Sequence, residues 1–285
     1  MLQVVPLNEI MMPKAMHLLL QFGESSLFLL NNLREHGPRR SQHPNSGNFR
    51  CVVDANDAVH AVFCLANRGT LLAHGDSLED YTSLIVQDLT DNSIPLKGFI
   101  GPWEMIAPLS KAYGTLHPEF VPTLSRREAM MTANLTGRII LPNHPSVRLL
   151  TPQDFSDWLA VHTLYLEEEV IPQNISIEQQ QKLFKERCQK KHWWGSFDGT
   201  QLTGIASLNA HFESLAQIGS VFTMPSHRRK GVAKAIINRV ISDVSLIHRV
   251  TSISVFTSEE NTPAQKLYAG LGFKHAGIFG MILTG

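Results

Sequence analysis

Residues 223–237 read TMPSHRRKGVAKAII. The stretch before them, AQIGSVFTM, reads as a strand that ends at Met224. Pro225 turns the chain, and a helix is expected from Gly231 onward. Between them stand His227, Arg228, Arg229 and Lys230, like charges that repel unless water or an anion separates them. The first turn of a helix carries unpaired N–H groups and the positive end of the helix dipole, and a phosphate satisfies both. Gly231 lets the backbone approach a ligand closely, and Ala233 is nearly as small. Five basic residues (Arg228, Arg229, Lys230, Lys234, Arg239) lie between Gly219 and Ser242 with no acidic residue among them. A solvated basic turn would explain the charge alone. A bound diphosphate also explains the proline, the glycine and the helix.

Outward from this loop, the second half of the chain has a regular order. SVRLLT is a strand, TPQD a helix start, and DFSDWLAVHTLYLEEEV a helix with Phe155, Trp158, Leu159, His162 and Leu166 on related faces. SIEQQQKLFKERCQKK is a second helix with Ser176 as its N-cap. HWWGSFD and TGIASLNAHF are strands joined by the turn signal Asp198-Gly199. Trp193 and Trp194 alternate across the first of them, so one should pack inside while the other could line a cleft, unless both are core. After AQIGSVFTM come the helix GVAKAIINRVISDVSLIH, the strand TSISVFTS, the helix TPAQKLYAGLG and the strand HAGIFGMIL. The order is βααβββαβαβ, a mixed α/β sheet. The first half repeats much of it. FRCVVD, AVHAVFCLAN and GTLLAHG read as strands, SLEDYTSLIVQDLTD as a helix, IPLKGFIGP as a strand, WEMIAPLSKAY as a helix and REAMMTANLTG as a strand. Shared order at matched spacing argues for a tandem repeat. The proline-rich RIILPNHPS, residues 138–146, reads as the junction, giving domains 1–140 and 141–285.

Composition narrows the function. The chain has 285 residues, with 25 Lys and Arg against 25 Asp and Glu, so no global basic field invites nucleic acid. Three cysteines without a CxxC pair suit a reducing compartment. The apolar MHLLLQF is too short to span a bilayer. Thirteen scattered histidines lack zinc spacing, so no metal is expected. These readings point to a cytoplasmic protein with no membrane or nucleic-acid partner, and they leave a homodimer open.

No GxxxxGK[ST] is present, and no GxGxxG follows the first strand of a βαβ unit. The pattern that does occur is R-x-x-G-x-A, Arg228 to Ala233. It resembles the acetyl-coenzyme A loop of the GNAT acetyltransferase superfamily, whose backbone amides hold the coenzyme's pyrophosphate. Downstream, NTPAQKLYAGLGF resembles that family's later motif in Asn261, Ala264, Tyr268, Gly272 and Phe273. By itself Tyr268 could be only the core face of a short helix. The two motifs occur in the family's order, separated by a helix and a strand.

The resemblance implies an α/β (mixed α+β) fold: two GNAT-like domains in tandem, each a mixed, mostly antiparallel sheet flanked by helices. It implies acetyl-CoA as cofactor and direct N-acetyl transfer, in a ternary complex, to a small-molecule or protein amine. Arg228, Arg229, Lys230, Gly231, Val232, Ala233 and Lys234 would hold the pyrophosphate. Phe222 and Thr223 would bond pantetheine through their backbone where the strand splays from its neighbour, and Asn261 would bond the cofactor arm. Tyr268 would serve the departing thiolate. Glu213 and Glu168, the latter within Glu167-Glu168-Glu169, are candidate bases, although each more often is a surface carboxylate and a water chain could also collect the proton. The first half carries Asp76, Glu79 and Asp80 at the equivalent junction, and REHGPR, Arg34 to Arg39, has the wrong sixth residue. That half reads as a degenerate copy that does not bind coenzyme. The rival reading is a non-catalytic module that senses acetyl-CoA and regulates a partner.

Overall fold

Three elements that the sequence reading omits open the chain: β1 (Gln3–Pro6), α1 (Met12–Gln21) and α2 (Leu27–His36). Their signals are weak. β1 is four residues long, and α1 has no side-chain cap at Met11. The turn before α1 is held instead by Asn8, whose Oδ1 accepts from the N–H of Ile10 and of Met11. Then follow β2 (Gly47–Val53), β3 (Val59–Ala66), β4 (Thr70–Gly75), α3 (Thr82–Thr90), β5 (Gly98–Pro102), α4 (Trp103–Leu116) and β6 (Leu124–Asn134). The second half gives β7 (Val147–Leu149), α5 (Phe155–Glu168), α6 (Ile177–Gln189), β8 (Trp193–Asp198), β9 (Gln201–Phe212) and β10 (Leu215–Thr223). It ends with α7 (Val232–His248), β11 (Ser252–Ser258), α8 (Thr262–Gly270) and β12 (Lys274–Leu283). Both halves therefore run βααβββαβαβ. The computed structural model describes residues 1–76, 81–91, 94–137, 144–169 and 175–284. Among them no helix is long and apolar enough to cross a membrane.

Contacts divide the chain into two units that are not contiguous halves. Unit 1 is Met1–Met131, Phe256–Ala264 and His275–Gly285; unit 2 is Thr132–Val255 and Gln265–Lys274. The segments 1–140 and 141–285 read from the sequence do not coincide with these units, and residues 138–143 of the expected junction lie outside the described residues. The cause in unit 1 is the last strand. Its sheet has the order β1-β2-β3-β4-β5-β12-β6. β12 lies antiparallel to β5, from Phe279 opposite Pro102 to Leu283 opposite Gly98. Phe279 and Ile282 are buried there, and Gly280 leaves room for the Trp103 ring, whose Cε3 would stand 2.7 Å from a Cβ. The core of this unit gathers Phe63, Leu71, Ile85, Phe99, Ile106 and Leu109, all but completely buried. Each such side chain contributes roughly 1.5–3 kcal/mol.

Unit 2 has the strand order β11-β10-β9-β8-β7. Local chemistry behaves as its sequence suggests. Thr151 and Asp154 form a capping box ahead of α5. Ser176 caps α6, its Oγ accepting from the Gln179 N–H at 3.3 Å. Asp198 pairs with Gln201 across the Gly199-Thr200 turn. Of the two readings for the tryptophans, the cleft is corrected and the core holds, since both are buried. Trp194 donates its Nε1–H to Asp243 at 2.8 Å, and Trp193 meets Trp158 edge-on with centroids 5.2 Å apart. Two adjacent strand residues reach cores on both faces because α5 and α7 each pack on this sheet.

Candidate functional site

β10 is irregular where it approaches the basic loop. Its parallel register with β11 runs over Leu215–Ile218. Beyond that point its pairing with β9 skips: Gly219 stands opposite Ser207 and Phe222 opposite Ile205, so Ser220 and Val221 bulge. Ser220 has a φ of 48°, which L side chains seldom adopt. A Cβ on Gly219 would collide with the Asn209 side chain. Residues 219–223 thus keep a bulged pairing with β9. The sequence signals this bulge only through the Gly219-Ser220 dipeptide inside a strand.

The loop itself has an open backbone. After Thr223 a 3-10 turn spans Pro225–His227, and Arg228 is extended. Arg229 (φ 60°) and Gly231 (φ 81°) are left-handed, and α7 begins at Val232. Holding Arg229 there costs about 1–2 kcal/mol, the kind of strain that collects at ligand clamps. No side chain caps α7, and no acidic residue lies in its first turn. A Cβ built on Gly231 would meet nothing within 4 Å, so the backbone faces open space. Arg228, Arg229, Lys230 and Lys234 are exposed around it, while Val232 and Ala233 are half-buried at the helix start. The arrangement can take a polyanion: bare amides at the positive end of a dipole, ringed by four cations.

Arg228 ties this loop to its surroundings. Its Nε donates to the Thr223 carbonyl at 3.1 Å, and its Nη2 donates to Glu168 Oε2 at 2.5 Å. The guanidinium also lies 5.5 Å from the Phe222 ring centroid. Phe222 is buried and meets Tyr165 of α5 edge-on at 6.1 Å. Phe222, Thr223, Arg228 and Glu168 are therefore brought together. Glu213 is not. It occupies the exposed turn before Leu215, at the opposite end of β10 from Thr223. At about 3.3 Å per residue, the strand between them spans roughly 30 Å.

The later motif lies on α8. Asn261, in unit 1, is exposed, and its Oδ1 accepts from the Ala264 N–H at 3.1 Å, so it caps the helix. Tyr268, in unit 2, is 4% exposed and packs on Phe273 at 5.8 Å between centroids. Gly272 ends the motif with a φ of 84°.

Unit 1 lacks this arrangement at its own strand-to-helix junction. After β4, Asp76 accepts from the Tyr81 hydroxyl at 2.7 Å and bonds His60 Nδ1 at 3.0 Å. A carboxylate stands where unit 2 presents cations; Glu79 and Asp80 lie outside the described residues. Arg34–Arg39 runs past the end of α2, where Gly37 (φ 74°) is the C-cap, so it begins no helix.

His74 on β4 is buried, stacked on Phe22 at 4.0 Å, with Nε2 2.8 Å from Ser25 Oγ. Burial pushes its imidazole from 6.5 down to about 4. The unfolded chain takes this proton near pH 6.5 and the folded chain only near 4. Stability is therefore complete above pH 6.5 and falls as pH drops towards 4, by about 3 kcal/mol for this group. Urea midpoints measured across that range should show a steeper acid loss in the wild type than in His74→Gln. Parallel slopes would mean that other groups carry the acid lability.

Comparison with known proteins agrees with this geometry. Residues 158–273 match the acetyltransferase (GNAT) family. The solved structure of a Drosophila protein is 13% identical with a TM-score of 0.70, over 99% of this chain and 98% of that one. A tandem GNAT protein from the clavulanic acid biosynthesis pathway is 13% identical with a TM-score of 0.55, over 100% and 98%. Streptothricin acetyltransferase of Escherichia coli is 34% identical over 85 residues, which are 30% of this chain and 48% of that protein. The chain spans about half the length of the curated relatives it matches. Residues 158–273 are therefore similar to the acetyltransferase (GNAT) family, in a chain whose two halves repeat one order of elements.

Proposed function

We propose that unit 2 moves an acetyl group from acetyl-CoA to an amine by direct transfer in a ternary complex. The observation that carries this reading is the loop from Thr223 to Lys234, with its open Gly231 backbone, uncapped α7 and surrounding cations. These features fit a diphosphate. Arg228, Arg229, Lys230 and Lys234 supply charge, and the backbone of Gly231, Val232 and Ala233 supplies donors. At the bulged end of β10, the backbone around Phe222 and Thr223 would bond pantetheine and polarise a carbonyl. Acetyl-CoA, when bound, supplies the thioester.

Tyr268 holds a proton for the departing sulfur, and Asn261 starts the helix that carries Tyr268. Of the two candidate carboxylates, Glu168 stands beside the loop and Glu213 at the far end of β10. Glu168 is thus the better placed to collect the amine's proton, directly or through water. The acceptor is a small-molecule or protein amine. Unit 1, with Asp76 at its junction, braces the fold and does not bind coenzyme.

Calorimetric titration with coenzyme A, together with free-thiol release across a panel of amines, tests the reading. Binding with thiol release supports transfer. Tight binding without release from any amine supports the sensor instead. Gly231→Val sharpens the assignment. A Cβ there meets no protein atom within 4 Å, and the left-handed φ costs about 1–2 kcal/mol. A ligand lying on that backbone would be pushed away, and coenzyme affinity should fall by at least about tenfold. Unchanged affinity would remove the coenzyme from this loop.

A further inference from the structure

The contact between Arg228 and Glu168 joins the basic loop to the last residue of α5. That helix ends unfavourably. Glu167, Glu168 and Glu169 crowd the negative end of its dipole, and its last turn contains no basic residue. Arg228, sixty positions away in sequence, supplies the missing cation at 2.5 Å. The same guanidinium belongs to the set that a diphosphate would engage. Both side chains are about half exposed, at 42% and 50%, so either can exchange its partner without unpacking the core. Glu167 is exposed and makes no ion pair among the described residues.

We propose that Glu168 is the resident ligand of Arg228 in the coenzyme-free protein, and that an incoming phosphate takes the guanidinium from it. Filling the loop then removes the cation from the end of α5 and loosens its last turn. The two events are thermodynamically linked, so each opposes the other by the same factor. Coenzyme binding is thereby coupled to the helix whose Tyr165 packs on Phe222, beside the strand that would hold pantetheine. The proposal rests on the acetyl-transfer reading only for the identity of the anion.

Two probes, coenzyme A and inorganic pyrophosphate, would be titrated calorimetrically into the full chain and into Glu168→Gln and Glu167→Gln. Glu167→Gln makes the same charge change on the next residue without touching Arg228. Loss of an exposed competitor should tighten both probes by roughly two- to fivefold in Glu168→Gln. Glu167→Gln should give less than half that effect. Hydrogen exchange at residues 165–168 should quicken when either probe binds the wild type, and should already be fast in unliganded Glu168→Gln. Equal tightening in the two variants would mean a general field effect and overturn the proposal. So would unchanged or weaker binding in Glu168→Gln, or exchange that slows on binding. If pyrophosphate follows the expected pattern and coenzyme A does not bind, the acetyl-transfer reading fails while the competition stands.

Discussion

Removing residues 275–285 should abolish cooperative folding of unit 1. β12 lies between β5 and β6, so its loss bares two strand edges at once. Five register positions against β5 disappear, from Phe279 opposite Pro102 to Leu283 opposite Gly98. The Thr123 N–H loses the Leu283 carbonyl and the Lys97 carbonyl loses the Thr284 N–H, each a bond of 2.8 Å. Phe279 and Ile282 leave the core, at about 2 kcal/mol apiece. Together with the ladder bonds, the loss approaches the 5–15 kcal/mol that holds a typical domain. Hydrogen exchange is the measurement to make. Amides of β4 and β5 should lose protection in the truncated chain. A truncated chain with wild-type protection there and an unchanged urea midpoint would show that β12 is dispensable.

Tyr268→Phe should lower turnover by about 10²-fold, the low end of the range for a positioned acid, while coenzyme affinity barely moves. Tyr268 is 4% exposed and packed on Phe273, so the phenylalanine ring keeps the packing and only the hydroxyl is lost. Deleting a buried hydroxyl also costs stability, about 1 kcal/mol, which a melting curve reads separately from the rate. A structural tyrosine would give the opposite pattern, with lost stability and little effect on kcat. Near-wild-type turnover, measured where chemistry limits the rate, would hand the proton to another group or to water. An equal fall in affinity and rate would make Tyr268 a binding residue.

Features set by neighbours along the chain are legible in its order of residues. Ser176 caps its helix because its short side-chain oxygen reaches a backbone donor three residues on. Pro225, Gly231 and the apolar spacing after Val232 place a turn and a helix start, and so a row of bare amides. Fifteen residues were enough for that because each preference is local. Features that depend on distant partners emerge on folding. HAGIFGMIL announces a strand by composition, yet nothing in it says that the strand pairs with β5, some 180 residues earlier. Pairing is chosen by the buried face that Phe279 and Ile282 complete. The left-handed Arg229 and Ser220 escape prediction because propensity assigns that region to glycine, and only the surrounding fold can hold other residues there. Glu168 reads as one of three solvated carboxylates until folding sets it against Arg228. Charge is legible in a sequence; which opposite charge stands within hydrogen-bonding distance is decided by packing.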